Sequence, residues 1–444
     1  SGQLDFDNDA GKLKEQSEQV AMAFNRYKTI QLGGVEDYQE FHQAKEELEE
    51  RLIQLNNDLN LLLHKQTTNI NYGEWLTTHQ PFHWFAEFYE IIHGRGGFDV
   101  IIGNPPYVES KTVDYSITGY LTSSCGNLYA FILERTKALL HQEARSGMII
   151  PLSGHSTLRM APLVKTFYNS FRCSFVMNIS ADAHPSILFP GVRFRLAIFL
   201  VSNQKKGVFT TKYLRWYAQE RETLFQQINF NEIKVFKYQE VIPKISDPKH
   251  LAVLNKINQS VISKYERGSN KTFYHNTPVF WIRAHSFIPY FKSERDGEKV
   301  SSQLKTVFFE SREYSVAASG LFCSSLFYIW WITISDCYHL NKPEISNFPF
   351  SFDKADCIDK LIKTSEELEE DLIAKSRRRV YKYATSGTVE YDEYYLKKSK
   401  AIIDKVDIIL AQHYGFTPEE LDFIINYDIK YRMGKELEGD EGES

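Results

Sequence analysis

Four consecutive residues, Asn104-Pro105-Pro106-Tyr107, place an amide, two rigid rings and a phenol directly after a short apolar run. The run from Phe98 to Ile102 predicts a buried strand, and Gly103 permits a tight turn at its carboxyl end. In open α/β sheets, ligands bind at that end of the strands. We therefore expect these four residues to face a ligand.

The residue types suit methyl transfer to an exocyclic amine. Such an amine shares its lone pair with its ring, and donating both N–H bonds to acceptors turns the nitrogen towards an attacking geometry. The Asn104 side-chain oxygen and the Pro105 carbonyl can be the two acceptors, since the proline rings hold that carbonyl in place. Tyr107 can stack on a base rotated out of a duplex. No covalent nucleophile is needed, in agreement with the absence of a Pro-Cys dipeptide.

The elements that position this motif alternate between apolar runs and helical stretches. This alternation is typical of a parallel sheet with crossover helices, so we predict an α/β fold with a partial Rossmann-like sheet. A simpler interpretation, that Asn-Pro only marks a turn, is disfavoured by the strand-like segment before it. We predict strands at 98–102, 147–151, 173–179 and 195–201, the last two antiparallel, and helices at 128–140 and 162–171.

Residues 82–107 resemble the segment leading into the catalytic motif of large adenine-specific DNA methyltransferases of type IIG restriction-modification systems and related phage-defence methylases. Residues 127–131, Asn-Leu-Tyr-Ala-Phe, resemble the family's next helix, and 146–151 resemble its next strand. The resemblance implies methyl transfer from S-adenosylmethionine to N6 of a flipped adenine in double-stranded DNA. It assigns the catalytic role to Asn104, Pro105, Pro106 and Tyr107.

The resemblance also implies a second aromatic contact and a recognition domain. Residues 187–193 resemble the turn that supplies a second ring to the flipped base, which by position is Phe189; the alternative is an ordinary core Phe. Residues 320–331 and 347–350 resemble the end of the family's specificity domain, although Cys323-Ser324-Ser325 replaces the usual Leu-Asn-Ser. We therefore predict four segments: helical 1–97, a catalytic half at 98–207, an α+β DNA target recognition domain at 208–350, and a helical region with a disordered tail at 351–444.

The family's cofactor loop is missing from the sequence. A Gly-rich loop after a first strand would hold S-adenosylmethionine, but Gly33-Gly34 lies between helical segments and Gly94 to Gly97 precedes its strand. We expect this loop upstream in a longer polypeptide or on a partner chain, and we expect this chain alone to be inactive. The strand at 98–102 would then have an unpaired apolar edge, covered by residues 12–66, by a second copy or by a partner.

Charge is distributed unevenly along the 444 residues, whose net charge is -5. Phosphate binding needs a local excess of Lys and Arg. Two basic stretches lie at 193–215 and 375–382, and any such run can also be a solvated surface. The first of the two supplies the candidate DNA contacts, which are Arg193, Arg195, Lys205, Lys206, Lys212 and Arg215.

Several function classes are disfavoured by composition. The five cysteines are odd in number and lack CxxC spacing, so no disulfide framework or zinc site is expected. No run approaches the roughly 18 apolar residues of a membrane span, and no signal peptide is evident, so we expect a soluble protein of the prokaryotic cytoplasm. Two alternatives remain: a non-catalytic DNA-binding specificity or defence component, and a methyltransferase acting on protein glutamine or RNA.

Overall fold

A computed structural model describes residues 6–34, 37–65, 70–114, 117–181, 188–189, 192–204, 206–234, 238–257, 260–353, 355–384 and 387–434. Lys205 and the acidic tail after Gly434 lie outside these ranges. The chain divides into two compact units, the first formed by 1–102 and 108–146 and the second by 103–107 and 147–444.

The first unit begins with a long helical hairpin. The predicted break at Gly33-Gly34 is confirmed, because α1 ends at Leu32 and α2 begins at Tyr38. Apolar residues at helical spacing, among them Val20, Phe24 and Leu55, form a buried cluster along the hairpin. The helices of this unit are α1 Phe6–Leu32, α2 Tyr38–Lys65, α3 Tyr72–His79, α4 Trp84–Glu87 and α5 Leu128–Leu139.

Strand β1 (Phe98–Gly103) is an edge strand, whose neighbour is β2 (Leu140–Pro151). Gly97 precedes β1 with φ +128°, and a Cβ there would lie 2.6 Å from the Leu139 carbonyl oxygen, so only glycine fits. Val100 and Ile102 on β1 are 55% and 76% exposed. The prediction that this strand is buried is therefore wrong for this chain, because the helical hairpin does not cover these two side chains. Strand β1 lies at the end of the strand order, as predicted.

The large sheet of the second unit is mixed. From β2 its order continues β4-β3-β5-β6, and β3 pairs antiparallel with β4, as predicted, but parallel with β5. Strand β5 is not among the predicted strands, because the buried Thr210 and Thr211 interrupt its apolar pattern. The strands of this sheet after β2 are β3 Cys173–Ile179, β4 Leu196–Ser202, β5 Gly207–Leu214 and β6 Asn231–Glu232.

Two smaller sheets follow in the same unit, with orders β11-β7-β8 and β10-β9-β13-β12. The second corrects the all-helical prediction for 351–444, because β12 and β13 form an antiparallel hairpin that pairs with β9. Val380, Tyr381 and Tyr383 on β12 are β-branched or aromatic, which favours a strand despite the basic residues around them. These strands are β7 Asn270–His275, β8 Ala284–His285, β9 Phe291–Ser293, β10 Gly297–Glu298, β11 Leu304–Phe309, β12 Arg377–Tyr383 and β13 Gly387–Glu393.

Helices fill the core of the second unit. A capping box begins the helix at Pro418–Ile425, since Thr417 accepts from the Glu420 N–H and the Glu420 carboxylate accepts from the Thr417 N–H. No single described helix is long and apolar enough to cross a membrane; α9 and α10 pass only as a pair bent by 69°, and α10 is buried throughout. The helices are α6 Ser153–Ser156, α7 Ala161–Thr166, α8 Pro248–Lys256, α9 Arg312–Cys323, α10 Ser325–Ile334, α11 Lys342–Ser346, α12 Ala355–Ala374, α13 Lys400–Tyr414, α14 Pro418–Ile425 and α15 Ile429–Met433.

Candidate functional site

The tetrapeptide follows β1 directly and belongs to the second unit together with the end of β2. Asn104 and Pro106 are exposed, Pro105 is buried and Tyr107 is half-buried. A Cβ at Gly103 would lie 3.3 Å from Met148 Sδ, so the chain passes close to β2 before it turns. The polar group of the motif thus lies at the surface, while a proline anchors the backbone beneath it.

The phenol of Tyr107 links the motif to β2. Its Oη lies 2.7 Å from Asn104 Oδ1 and 3.0 Å from the Ile149 carbonyl oxygen. A phenol has one proton, so it donates to one of these two acceptors at a time. Burial raises the pKa of Tyr107, and the group therefore stays protonated at neutral pH. A bond to Asn104 turns Oδ1 towards Tyr107 and leaves that oxygen a second lone pair for a ligand.

One exposed aromatic side chain lies against the motif in the second unit, and a second was predicted from the sequence. The Phe194 ring meets Tyr107 edge-on at 5.8 Å between centroids, and Phe194 is 55% exposed. Phe189, the predicted second stacking residue, is 40% exposed, and its role stays a prediction. Phe194 is not among the residues predicted from the sequence, although it directly follows the segment 187–193 that resembles a turn of the methyltransferase family. Phe194 is therefore an additional candidate for contact with a planar ligand.

The six predicted DNA contacts occupy different environments. Arg193 and Lys206 are exposed, and Lys205 lies outside the described residues. The Arg195 guanidinium lies over the Tyr338 ring, at 4.6 Å from its centroid. The basic stretch therefore does not form one continuous surface, and only part of it faces solvent.

The structure corrects the prediction that Arg215 contacts DNA, because this side chain is buried. Its side chain is 1% exposed, and its Nη1 lies 2.7 Å from Asp428 Oδ2, itself on a side chain 2% exposed. Lys212 Nζ lies 3.4 Å from the other oxygen of Asp428, and Arg215 also donates to the Val279 carbonyl. Arg215 is thus a buried structural residue rather than a surface cation.

We expect Asp428→Asn to destabilise the second unit strongly. The change keeps the shape of the side chain, and asparagine also tolerates the φ of 51° at this position. It leaves the Arg215 charge buried without a carboxylate, which typically costs about 3–5 kcal/mol. Denaturant unfolding measures this loss, with Asp422→Asn on the exposed face of α14 as the matched control. Equal stability of the two variants would mean that the buried pair contributes nothing.

The described residues do not fit the main binding loop of a nucleotide-like cofactor. Such a loop runs from a strand directly into a helix and uses glycines of positive φ. Gly34, with φ +85°, joins α1 to α2, whereas Gly96 and Gly97, with φ +82° and +128°, precede β1. Within the described ranges, no glycine of positive φ joins a strand directly to a helix.

Comparison with known proteins finds a matching family for part of the chain. Residues 9–182 match the family described as Eco57I restriction-modification methylase. A putative type II restriction enzyme and methyltransferase of Methanocaldococcus jannaschii is 28% identical over 189 residues, which are 41% of this chain and 15% of the relative. This chain therefore spans only a small part of that relative's length. The predicted resemblance to methyltransferases of restriction-modification systems is confirmed.

Three solved structures have some similarity to this chain. A DrdV–DNA complex has a TM-score of 0.31 at 13% identity, over 47% of this chain and 24% of that chain. A nuclease-deletion mutant of the Type ISP restriction-modification enzyme LlaGI with a DNA substrate mimic has a TM-score of 0.31 at 12% identity, over 57% of this chain and 27% of that chain. The ATP-dependent Type ISP restriction-modification enzyme LlaBIII bound to DNA has a TM-score of 0.33 at 10% identity, over 76% of this chain and 36% of that chain.

Proposed function

Because residues 9–182 of this chain are related to the methylases of restriction-modification systems, we propose that it is the target-base and DNA-recognition portion of a site-specific DNA adenine N6-methyltransferase. One observation carries the proposal: an exposed amide oxygen, Asn104 Oδ1, is held 2.7 Å from a half-buried phenol, Tyr107 Oη, directly after an edge strand. An acceptor beside an aromatic ring is the combination that an amino group on a flat base requires.

In the proposed complex, the flipped adenine donates one N6 hydrogen to Asn104 Oδ1 and the other to the Pro105 carbonyl. Both acceptors belong to a rigid tetrapeptide, so they need little reorganisation when the base arrives. The hydroxyl of Tyr107 orients the amide, and its ring stacks on the base. Phe194 and Phe189 are the candidates for the opposite face, since both rings are partly exposed and Phe194 lies against Tyr107.

The proposed DNA contacts are restricted to cations that reach the surface. Arg193 and Lys206 are exposed, and Lys212 retains 37% of its side-chain surface although it pairs with Asp428. Exposed cations bind phosphates and position a duplex without reading its sequence. We place double-stranded DNA along these residues, so that the target adenine can reach Asn104.

The methyl donor implied by this reaction is S-adenosylmethionine, for which the described residues offer no main binding loop. We propose that β1 pairs along its free edge with a strand of the segment that carries this loop, either upstream in a longer polypeptide or on a partner chain. The exposed Val100 and Ile102 support a covering strand, because an open apolar edge in water is unfavourable.

We expect this chain alone to show no binding of S-adenosylmethionine by isothermal titration calorimetry. When the complementary segment is supplied, as a fusion or a co-purified partner, binding and transfer of labelled methyl groups to unmethylated host DNA should appear together. Tight cofactor binding by the isolated chain would contradict the missing loop. A complex that binds the cofactor and DNA but transfers no methyl group would favour a non-catalytic specificity component.

A further inference from the structure

A cavity of about 500 Å³ lies in the second unit and is unrelated to the Asn104 motif. Its walls come from the three-stranded sheet, through His275, His285 and Leu304, and from the four-stranded sheet, through Phe291 and Tyr391. Ligand pockets in proteins typically measure about 300–1,000 Å³, so this cavity has room for a small organic ligand.

One positive charge in this cavity has no hydrogen-bonded partner among the described residues. Among the described residues, the Arg283 guanidinium forms no hydrogen bond and no ion pair, although it lines the cavity and is only partly exposed. Glu393 and Asp392 also line the cavity, but each carboxylate is already paired, with Arg379 at 2.8 Å and with Arg378 at 2.5 Å. Glu393 also attracts the Arg283 charge, but the two described side chains form no hydrogen bond or ion pair, so the N–H donors of Arg283 remain available to a ligand.

A second polar group in the cavity wall is also unsatisfied. His285 is 2% exposed, and its Nδ1 is buried without a hydrogen-bond partner in the described part of the chain. Burial and the nearby Arg283 charge lower the pKa of His285 to about 3 and that of His275 to about 4, so both rings are neutral at pH 7. Buried polar groups normally find a partner, and an unpaired one beside a cavity leaves a hydrogen-bonding position open to a bound molecule.

We propose that this cavity binds the phosphate group of a nucleotide, with Arg283 as the charged anchor. The planar guanidinium donates two parallel hydrogen bonds to a phosphate, and the unsatisfied imidazole nearby can take part in a further one. The hydroxyls of Ser301 and Ser302 line the same cavity. Its remaining surface is rich in tyrosine rings that can stack on a base: Tyr290, Tyr383, Tyr391 and Tyr394.

The same phosphate chemistry has two sources, a free mononucleotide and the backbone of DNA. The first source is independent of the proposed methyltransferase function, whereas the second rests on it. Calorimetric titration with dAMP and dGMP tests the first, with inorganic phosphate as the probe of the anion alone. Titration with a mixed-sequence duplex tests the second. A failure of DNA binding would therefore leave the mononucleotide result to decide this proposal.

The deciding variant is Arg283→Met, which removes the charge and keeps much of the side-chain volume. We expect it to weaken binding of the effective probe by at least about tenfold, since a charge-assisted bidentate contact is lost. We also expect the ligand-free Tm to rise, by about 2 °C, because a buried charge without a hydrogen-bonded partner has been removed. The matched control is Arg295→Met, whose side chain is 77% exposed outside the cavity and whose loss should change neither quantity.

Wild-type protein provides a test that does not depend on folding of the variants. A saturating nucleotide or duplex that occupies the cavity must raise the wild-type Tm, and this increase must be absent in Arg283→Met. The proposal is supported if Arg283→Met loses binding and Arg295→Met does not. Whether the mononucleotides or the duplex lose binding identifies the source of the phosphate group. No binding of any probe by the wild type, or equal binding by both arginine variants, overturns it.

Discussion

Replacing Asn104 with alanine should abolish adenine methylation by the complete enzyme while its binding to DNA persists. Asn104 Oδ1 is one of the two proposed acceptors for the N6 hydrogens, and it is exposed beside Tyr107 Oη at 2.7 Å. Removing one preorganised polar contact from a transition state typically lowers the rate by about 100- to 1,000-fold. Because the side chain is exposed, the fold should not change. Methyl incorporation into unmethylated host DNA, measured beside a gel-shift titration, checks both statements.

The matched control is Asn57→Ala, the same chemical change on an exposed residue of α2. It should leave methylation unchanged. Unchanged methylation in Asn104→Ala would remove Asn104 from the mechanism. Parallel assays with RNA and with glutamine-containing protein substrates separate the alternative methyl acceptors, since these would depend on Asn104 as well. Loss of DNA binding in Asn104→Ala would mean that the residue supports the duplex rather than the amine.

The second large effect is expected at Tyr107, where two substitutions separate the ring from the hydroxyl. Tyr107→Ala removes the stacking surface, worth about 1–3 kcal/mol per base, so methylation should fall by at least about tenfold and up to about 100-fold. Tyr107→Phe keeps the ring and loses only the hydrogen bond to Asn104 or Ile149, so its loss should stay within about tenfold. A 2-aminopurine at the target position reports flipping, and its fluorescence should drop in Tyr107→Ala alone.

Tyr38→Ala, at an exposed position of α2, is the control for loss of a tyrosine ring. Its methylation rate should equal that of the wild type. If Tyr107→Phe were as impaired as Tyr107→Ala, orientation of the Asn104 amide by the hydroxyl would be the dominant role and stacking a minor one. If neither variant were impaired, Tyr107 would be only a packing residue of the cluster around Met177 and Leu196.

Local patterns predicted much of the fold around the motif. The strand before Asn104, the antiparallel pair β3 and β4 and the break after α1 each depend on residues close in the sequence, so their apolar spacing is sufficient. Strand β5 was not predicted, because its central residues Thr210 and Thr211 are polar yet buried. There the hydroxyls bond to Asn178, a partner that no local pattern reveals.

Side-chain environments that depend on distant partners could not be predicted. Arg215 looks like one more cation of a basic stretch, and its burial follows from Asp428, 213 positions further along the chain. Similarly, Arg378 and Arg379 are neutralised by Asp392 and Glu393 only because β12 and β13 pair as a hairpin. For the candidate site, the sequence identifies the motif but does not reveal that Tyr107 bonds to Asn104, which depends on the turn geometry.

The open side of β1 has a consequence for how such a protein must be produced. The backbone groups along the outer edge of β1, beside Val100 and Ile102, can pair with any extended chain and so start aggregation. If the proposed complementary segment covers this edge, a cell that made this polypeptide in excess of that segment would accumulate aggregates. Balanced synthesis of the two would prevent this.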